Sequence, residues 1–260
     1  MCASLVSYTC CYSGDPMELN TLQDKVAVIT GASSGIGMAA ARQLAAEGVN
    51  VVLVARSADK LEALAAELGD RATVQAVDVG DRDAVVRLFE TVRSRFGGLD
   101  LLFNNAGVGY SNTFENSTQE EWQKTIDANL YGVLNCTQLA IPLLRGREGA
   151  MISSVSSVGG RYGLAGWSVY NATKFAVVGF HDALRKELGP EGIRVSLIEP
   201  GAVYTHWGYN VPEDKMKERR DSLEALEAED IGRALVYAFA QPRNVNVQEM
   251  LVMPTKQTTP

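Results

Sequence analysis

The sequence predicts an α/β fold, a single-domain doubly wound parallel sheet of about seven strands with helices on both faces. Three observations carry that expectation. Short β-prone runs alternate with stretches of helical apolar spacing from about residue 23 onward, and such alternation makes a parallel sheet whose crossover helices cover it. The first run ends in Gly31-Ala-Ser-Ser-Gly-Ile-Gly37, where three glycines lead into an alanine-rich helical stretch. Asn104 to Gly107, Ser153 to Ser157 and Pro200-Gly201 follow later runs at their carboxyl ends, the edge where open α/β sheets take ligands.

The elements follow in order. Lys25 to Thr30 reads as the first strand, Ile36 to Gly48 as a helix and Val51 to Ala55 as the second strand. Leu61, Leu64 and Leu68 form a helical stripe that ends near Gly69-Asp70, and Thr73 to Val77 is the third strand. Val85, Leu88, Phe89, Val92 and Phe96 share one helical face before a fourth strand at Leu99 to Phe103. Ser117-x-x-Glu120 has the form of a capping box and opens a long helix running past Asn129 to about Leu144. Gly149 to Ser154 is the fifth strand, Ser168 to Leu188 a helix, and Ile193 to Ile198 the sixth strand, stopped by Pro200-Gly201. Residues 202 to 222 show no clean period; a helix from Glu229 to Ala240 and a strand from Glu249 to Met253 complete the domain, taken as residues 17–260. Residues 1 to 16 lack the charged and apolar regions of a signal peptide and read as a disordered extension, with Met17 as an alternative start.

Composition narrows the function. The 260 residues, 46% hydrophobic and with a net charge of −7, have a core large enough for one domain and no basic footprint for nucleic acid. No apolar run reaches the roughly 20 residues that span a bilayer. Cys2, Cys10 and Cys11 crowd the N-terminus and Cys136 stands alone, which is no disulfide framework and suits a reducing cytoplasm. His181 and His206 are too few and too separate for a metal site. The expected partner is a small molecule.

The turn from Gly31 to Gly37 has the makings of a nucleotide phosphate site. Glycine allows the tight turn and close approach of an anion, and the following helix points free N–H groups and its positive dipole end at it. A plain strand-to-helix joint has the same composition, so the turn does not stand alone. Tyr170 is the one tyrosine with a lysine four residues on, Lys174, on the same face of a helix. A phenol with an ordinary pKa of about 10 exchanges protons near neutrality only when a nearby positive charge favours the phenolate. The same spacing also suits an ordinary amphipathic surface. Ser157 lies at the end of the preceding strand, with a hydroxyl suited to a substrate oxygen or simply to a turn.

Thr30-Gly-Ala-Ser-Ser-Gly-Ile-Gly37, Asp78-Val79, Asn104-Asn-Ala-Gly107, Asp127-Ala-Asn129, Ser157, Tyr170-Asn-Ala-Thr-Lys174 and Pro200-Gly-Ala-Val-Tyr-Thr205 stand in the order seen in short-chain dehydrogenase/reductases. The chain resembles that family from about residue 23 onward, and the segment Val247 to Lys256 resembles its serine/3-hydroxy-acid and clavulanate dehydrogenase-like branch. The resemblance implies a Rossmann-like oxidoreductase in which Tyr170 is the acid or base on the substrate oxygen and Ser157 orients that oxygen. Lys174 would hold the nicotinamide ribose and lower the Tyr170 pKa, and Asn129 would anchor a water linking Lys174 to solvent. It further implies that Gly31, Ser33, Ser34, Gly35, Ile36 and Gly37 bind the pyrophosphate. Asp78 and Val79 would meet the adenine, and Asn105, Ala106 and Gly107 the ribose. Pro200, Gly201, Val203 and Thr205 would lie at the nicotinamide, and a homotetramer or homodimer is implied.

Where NAD-binding folds carry an acid at the end of the second strand, this chain has Ala55-Arg56, and an arginine suits a 2′-phosphate. NADP(H) is therefore expected over NAD(H), with Arg56 as an ordinary solvated charge the alternative. Tyr162, Trp167, Tyr204, Trp207 and Tyr209 are candidates for an apolar substrate wall or for core positions. Leu130, Val133, Leu134, Phe175, Val177, Val178 and Phe180 exceed one core-facing stripe and suggest a subunit contact. The expected activity is hydride transfer between nicotinamide and a carbonyl or secondary alcohol. A non-catalytic dinucleotide sensor, and a lyase or epimerase on the same scaffold, are the alternatives.

Overall fold

A computed structural model of the chain describes residues 21–205 and 208–258. The extension expected over residues 1 to 16 lies outside the described residues, as do His206 and Trp207. Strands β1 (Val26–Thr30), β2 (Asn50–Ala55), β3 (Ala72–Ala76), β4 (Leu101–Asn104), β5 (Met151–Val155), β6 (Arg194–Pro200) and β7 (Glu249–Val252) form one sheet in the order β3-β2-β1-β4-β5-β6-β7. Every pairing is parallel. The order reverses between β1 and β4, which opens a crevice at their carboxyl ends.

The helices are α1 (Gly35–Ala46), α2 (Ala58–Leu68), α3 (Arg82–Phe96), α4 (Gln119–Ile126), α5 (Gly132–Leu144), α6 (Ser168–Leu188), α7 (Glu213–Leu223) and α8 (Ala228–Phe239). They cover both faces. Leu44 of α1, Leu61 of α2 and Ile231 and Leu235 of α8 bury Ile29, Leu53 and Phe103 on one side. Leu88 of α3, Leu144 of α5 and Leu184 of α6 bury Val28, Val52 and Ile152 on the other. None of the described helices is long and apolar enough to cross a membrane.

Two local expectations need correction. The capping box belongs to Thr118 and Glu121, one residue later than Ser117-x-x-Glu120: the Thr118 hydroxyl accepts from Glu121 N and the Glu121 carboxylate from Thr118 N. Ser117 instead donates to Thr113 O, closing the preceding turn. The long helix expected through Asn129 is broken in register by a π turn, Asp127–Tyr131, between α4 and α5. Residues 202 to 222 contain α7, a charged helix with no apolar stripe for a periodicity reading to detect.

Candidate active site

The crevice is built where β1 and β4 end side by side. Thr30 Oγ1 accepts from Asn105 N at 2.9 Å and Ala106 N at 3.0 Å, and Asn105 Nδ2 donates to Thr30 O at 3.0 Å. These bonds staple the two strand ends and seat Asn105, Ala106 and Gly107 against the glycine turn. Gly31 has φ +67°, a conformation that favours glycine, and a Cβ on Gly37 would lie 2.3 Å from Gly31 O. Ser34 caps α1 by position but its side chain makes no capping bond, so among the described residues the first N–H groups of the helix are left for a ligand. Ser33 and Ile36 are half-buried beside it.

Two sides of the crevice carry the other expected contacts. Asp78 Oδ1 accepts from Gly80 N, and Val79 is buried against Gly132, with its carbonyl accepting from Asn135 Nδ2 at 3.0 Å. Arg56 is exposed at the end of β2 and forms no ion pair among the described residues. At the far end, Pro200 is buried, Gly201 N donates to Val252 O, and Val203 bridges Leu226. Thr205 lies over the glycine turn, its Cγ2 3.0 Å from where a Cβ on Gly35 would be.

Ser157 and Tyr170 meet at Gly159, and Lys174 lies beside the Tyr170 ring. A Cβ placed on Gly159 would lie 3.4 Å from both Ser157 Oγ and Tyr170 Cε1. Ser157 Oγ accepts from Gly159 N at 3.0 Å, and its proton finds no acceptor among the described residues. Lys174 is buried, donates to Val155 O at 2.7 Å and places Nζ 5.6 Å from the centroid of the Tyr170 ring. Burial pushes its ammonium down to about 8. Asn129, in the π turn, accepts from Val108 N at 2.7 Å and donates to Val108 O and to Thr173 Oγ1, the residue before Lys174. Its amide thus ties the segment after Gly107 to α6.

Several contributors have no local sequence signal. Arg161 ends the 3-10 turn that Ser157 opens, and its Nε donates to the fully buried Glu199 at 2.7 Å. Glu249 of β7 holds the same guanidinium. Burial raises the Glu199 pKa, against the opposing pull of Arg161. Tyr110 stacks on Tyr209 at 4.7 Å, and Asn210 donates to Glu121 at 2.8 Å, so the segment after Gly107 and the segment before α7 meet across the cleft. Trp167 packs edge-on against Tyr170 at 5.8 Å. Of the other aromatic candidates, Tyr162 is exposed and Tyr204 lies under Arg220. These pairings join residues far apart in the chain, which spacing does not report.

The helix face expected to serve a subunit contact is partly redirected. Val133 of α5 and Val177 of α6 are buried with Leu197 of β6 in the chain's own core. Phe175 is 47% exposed, and Tyr131, which the apolar count passed over, is 51% exposed.

Comparison with known proteins agrees with this architecture. A family model described as short chain dehydrogenase matches residues 25–216. An uncharacterized oxidoreductase of Staphylococcus saprophyticus is 36% identical over 245 residues, covering 92% of this chain and all of the relative. The closed form of a serine dehydrogenase complexed with NADP+ superposes with a TM-score of 0.86 at 29% identity, covering 90% of this chain and 96% of the other. An alcohol dehydrogenase from the archaeon Thermococcus sibiricus, complexed with 5-hydroxy-NADP, gives 0.82 at 30% identity over 92% of this chain and 100% of the other. The match to the family model spans most of the chain, and with the parallel sheet and its β1–β4 crevice it establishes that this protein belongs to the short-chain dehydrogenase family of oxidoreductases.

Proposed function

We propose that the chain is an NADP(H)-preferring oxidoreductase that interconverts a carbonyl and a secondary alcohol on a small molecule, with Tyr170 as the acid or base. The observation that carries this reading is the meeting of Ser157 and Tyr170 at Gly159, with Lys174 Nζ 5.6 Å from the centroid of the Tyr170 ring. The residues present fit a dinucleotide. The turn from Gly31 to Gly37, together with Ser33, Ser34 and Ile36, offers a glycine-lined cradle under Thr205 and an α1 start that Ser34 does not cap through its side chain, which suits a pyrophosphate. Val79 and Asp78 suit the adenine, Asn105 to Gly107 the ribose path, and Pro200, Gly201, Val203 and Thr205 the nicotinamide. When bound, the nicotinamide gives or takes the hydride.

The side chains do the remaining work. Ser157 accepts from the backbone and keeps its own proton to donate to the substrate oxygen, which fixes that oxygen beside the Tyr170 hydroxyl. Tyr170 gives its proton to that oxygen in reduction and takes it back in oxidation. Lys174 supplies the positive charge that favours the phenolate and holds the ribose hydroxyls; Asn129 ties Thr173 of α6 to the segment after Gly107, and its proposed part is to anchor a water linking Lys174 to solvent. The cysteine pattern and the family's chemistry suit a cytoplasmic enzyme.

Arg56 tests the cofactor part. Arg56→Asp is expected to shift preference from NADP(H) towards NAD(H), because it removes the partner of the 2′-phosphate and supplies an acid for the free hydroxyl. The ratio of kcat/KM values for NADPH and NADH reads this out; an unchanged ratio would remove Arg56 from the site. The exposed Phe175 and Tyr131 support a homo-oligomer, a tetramer or dimer, and a monomer by light scattering at micromolar concentration would contradict it.

A further inference from the structure

The segment after β7 folds back over the end of β6. β7 pairs with β6 up to Pro200↔Val252, and the chain then turns, with Gln257 N donating to Pro254 O at 2.9 Å. The Gln257 side chain, 8% exposed, reaches 55 residues back, where its Oε1 accepts from Ala202 N at 2.8 Å. A Cβ on Gly201 would lie 2.6 Å from Gln257 Oε1, 2.8 Å from Met253 Sδ and 3.0 Å from Pro254 Cδ. The glycine at 201 is thus the seat of this turn.

From the other side, Leu226 N donates to Ala202 O at 2.9 Å and Tyr204 N to Leu226 O at 2.7 Å. Lys256 Nζ reaches the Glu224 carboxylate just before that bridge. Residues 201–205 are therefore clasped between 253–257 and 224–226, and Thr205 at the end of the clasp lies over Gly35.

We propose that Gln257 is a positioning residue for the nicotinamide end of the cofactor: it fixes Ala202, and through it the placement of Val203 and Thr205. The proposal rests on the reading of those two residues as nicotinamide contacts. Without the Gln257 oxygen, the buried Ala202 N–H loses its partner and the segment must shift to find another. A displacement of the reacting ring of even 1 Å slows hydride transfer steeply.

Three variants and two ligands make the test. In Gln257→Ala and Gln257→Met, kcat is expected to fall by about tenfold to a hundredfold and NADPH affinity to weaken, while calorimetric binding of 2′,5′-ADP, which lacks the nicotinamide, stays as in the wild type. Gln257→Glu keeps an acceptor oxygen and is expected to recover most of the loss. Unchanged kcat and NADPH affinity in Gln257→Ala would overturn the proposal. So would a parallel loss of 2′,5′-ADP binding, which would mark general damage. A wild-type protein that binds neither NADPH nor 2′,5′-ADP would instead remove the cofactor reading itself, and this inference with it.

Discussion

Tyr170→Phe is expected to lower kcat by about a hundredfold to ten-thousandfold while leaving NADPH affinity as in the wild type. The substitution deletes one oxygen and keeps the ring, so the edge contact with Trp167 and the place above Lys174 are retained. The glycine turn, Arg56 and the Val155–Lys174 bond are untouched, which leaves the nucleotide its contacts. Only the proton carried to the substrate oxygen is lost. Steady-state turnover and NADPH calorimetry on the same preparation read the two effects separately. Near-normal turnover would take the proposed mechanism away from Tyr170.

Lys174→Met is expected to damage both turnover and NADPH binding without lowering stability at neutral pH. The charged Nζ is the proposed partner of both the ribose and the phenol, so its loss acts on both measurements. Its effect on folding has the opposite sign. The buried ammonium titrates at about 8, against about 10.4 in an unfolded chain. Between those values the unfolded chain binds more protons, so this group makes stability rise with pH across that window, and at neutral pH its burial costs about 3 kcal/mol. Methionine keeps much of the apolar stem and removes that cost, against about 1.5 to 3 kcal/mol for the lost charge-assisted bond to Val155 O. Calorimetric melting should show Tm of the variant at or above wild type at pH 7, with the gap closing towards about pH 10 as the wild-type lysine neutralises. A variant markedly less stable than wild type at pH 7 would contradict this account of the buried charge.

The sheet was legible because its strands are short apolar runs, such as Val51 to Val54, set between helices with clear stripes such as Val85, Leu88 and Val92. The proposed site residues stand on motifs at strand ends, as at Gly31 to Gly37, Asn105 to Gly107 and Ser157, and on helical segments, as at Asn129, Tyr170 and Lys174. What escaped has physical reasons. α7 is polar all round, so no hydrophobic period marks it. The π turn at Asp127–Tyr131 inserts within a continuous helical pattern and changes the phase of the residues after it, among them Val133, which joins the core beside Val177 of α6. Ser117 and Thr118 are both capable caps, and only the position of Glu121 in three dimensions selects Thr118. Arg161–Glu199, Tyr110–Tyr209 and Gln257–Ala202 are long-range pairings, set by the order of the strands and not by spacing along the chain.

The central claim, that this chain passes a hydride between nicotinamide and substrate, is tested most directly by label transfer. NADPH carrying deuterium at the reactive nicotinamide carbon would be incubated with the protein and a panel of ketones and aldehydes, and the products weighed by mass spectrometry. The account predicts an alcohol bearing deuterium on the former carbonyl carbon, formed in equal amount to the NADPH consumed. NADPH that binds but is not consumed by any carbonyl, or a product formed without deuterium and with the cofactor returned unchanged, would contradict it and favour a sensor or a lyase or epimerase.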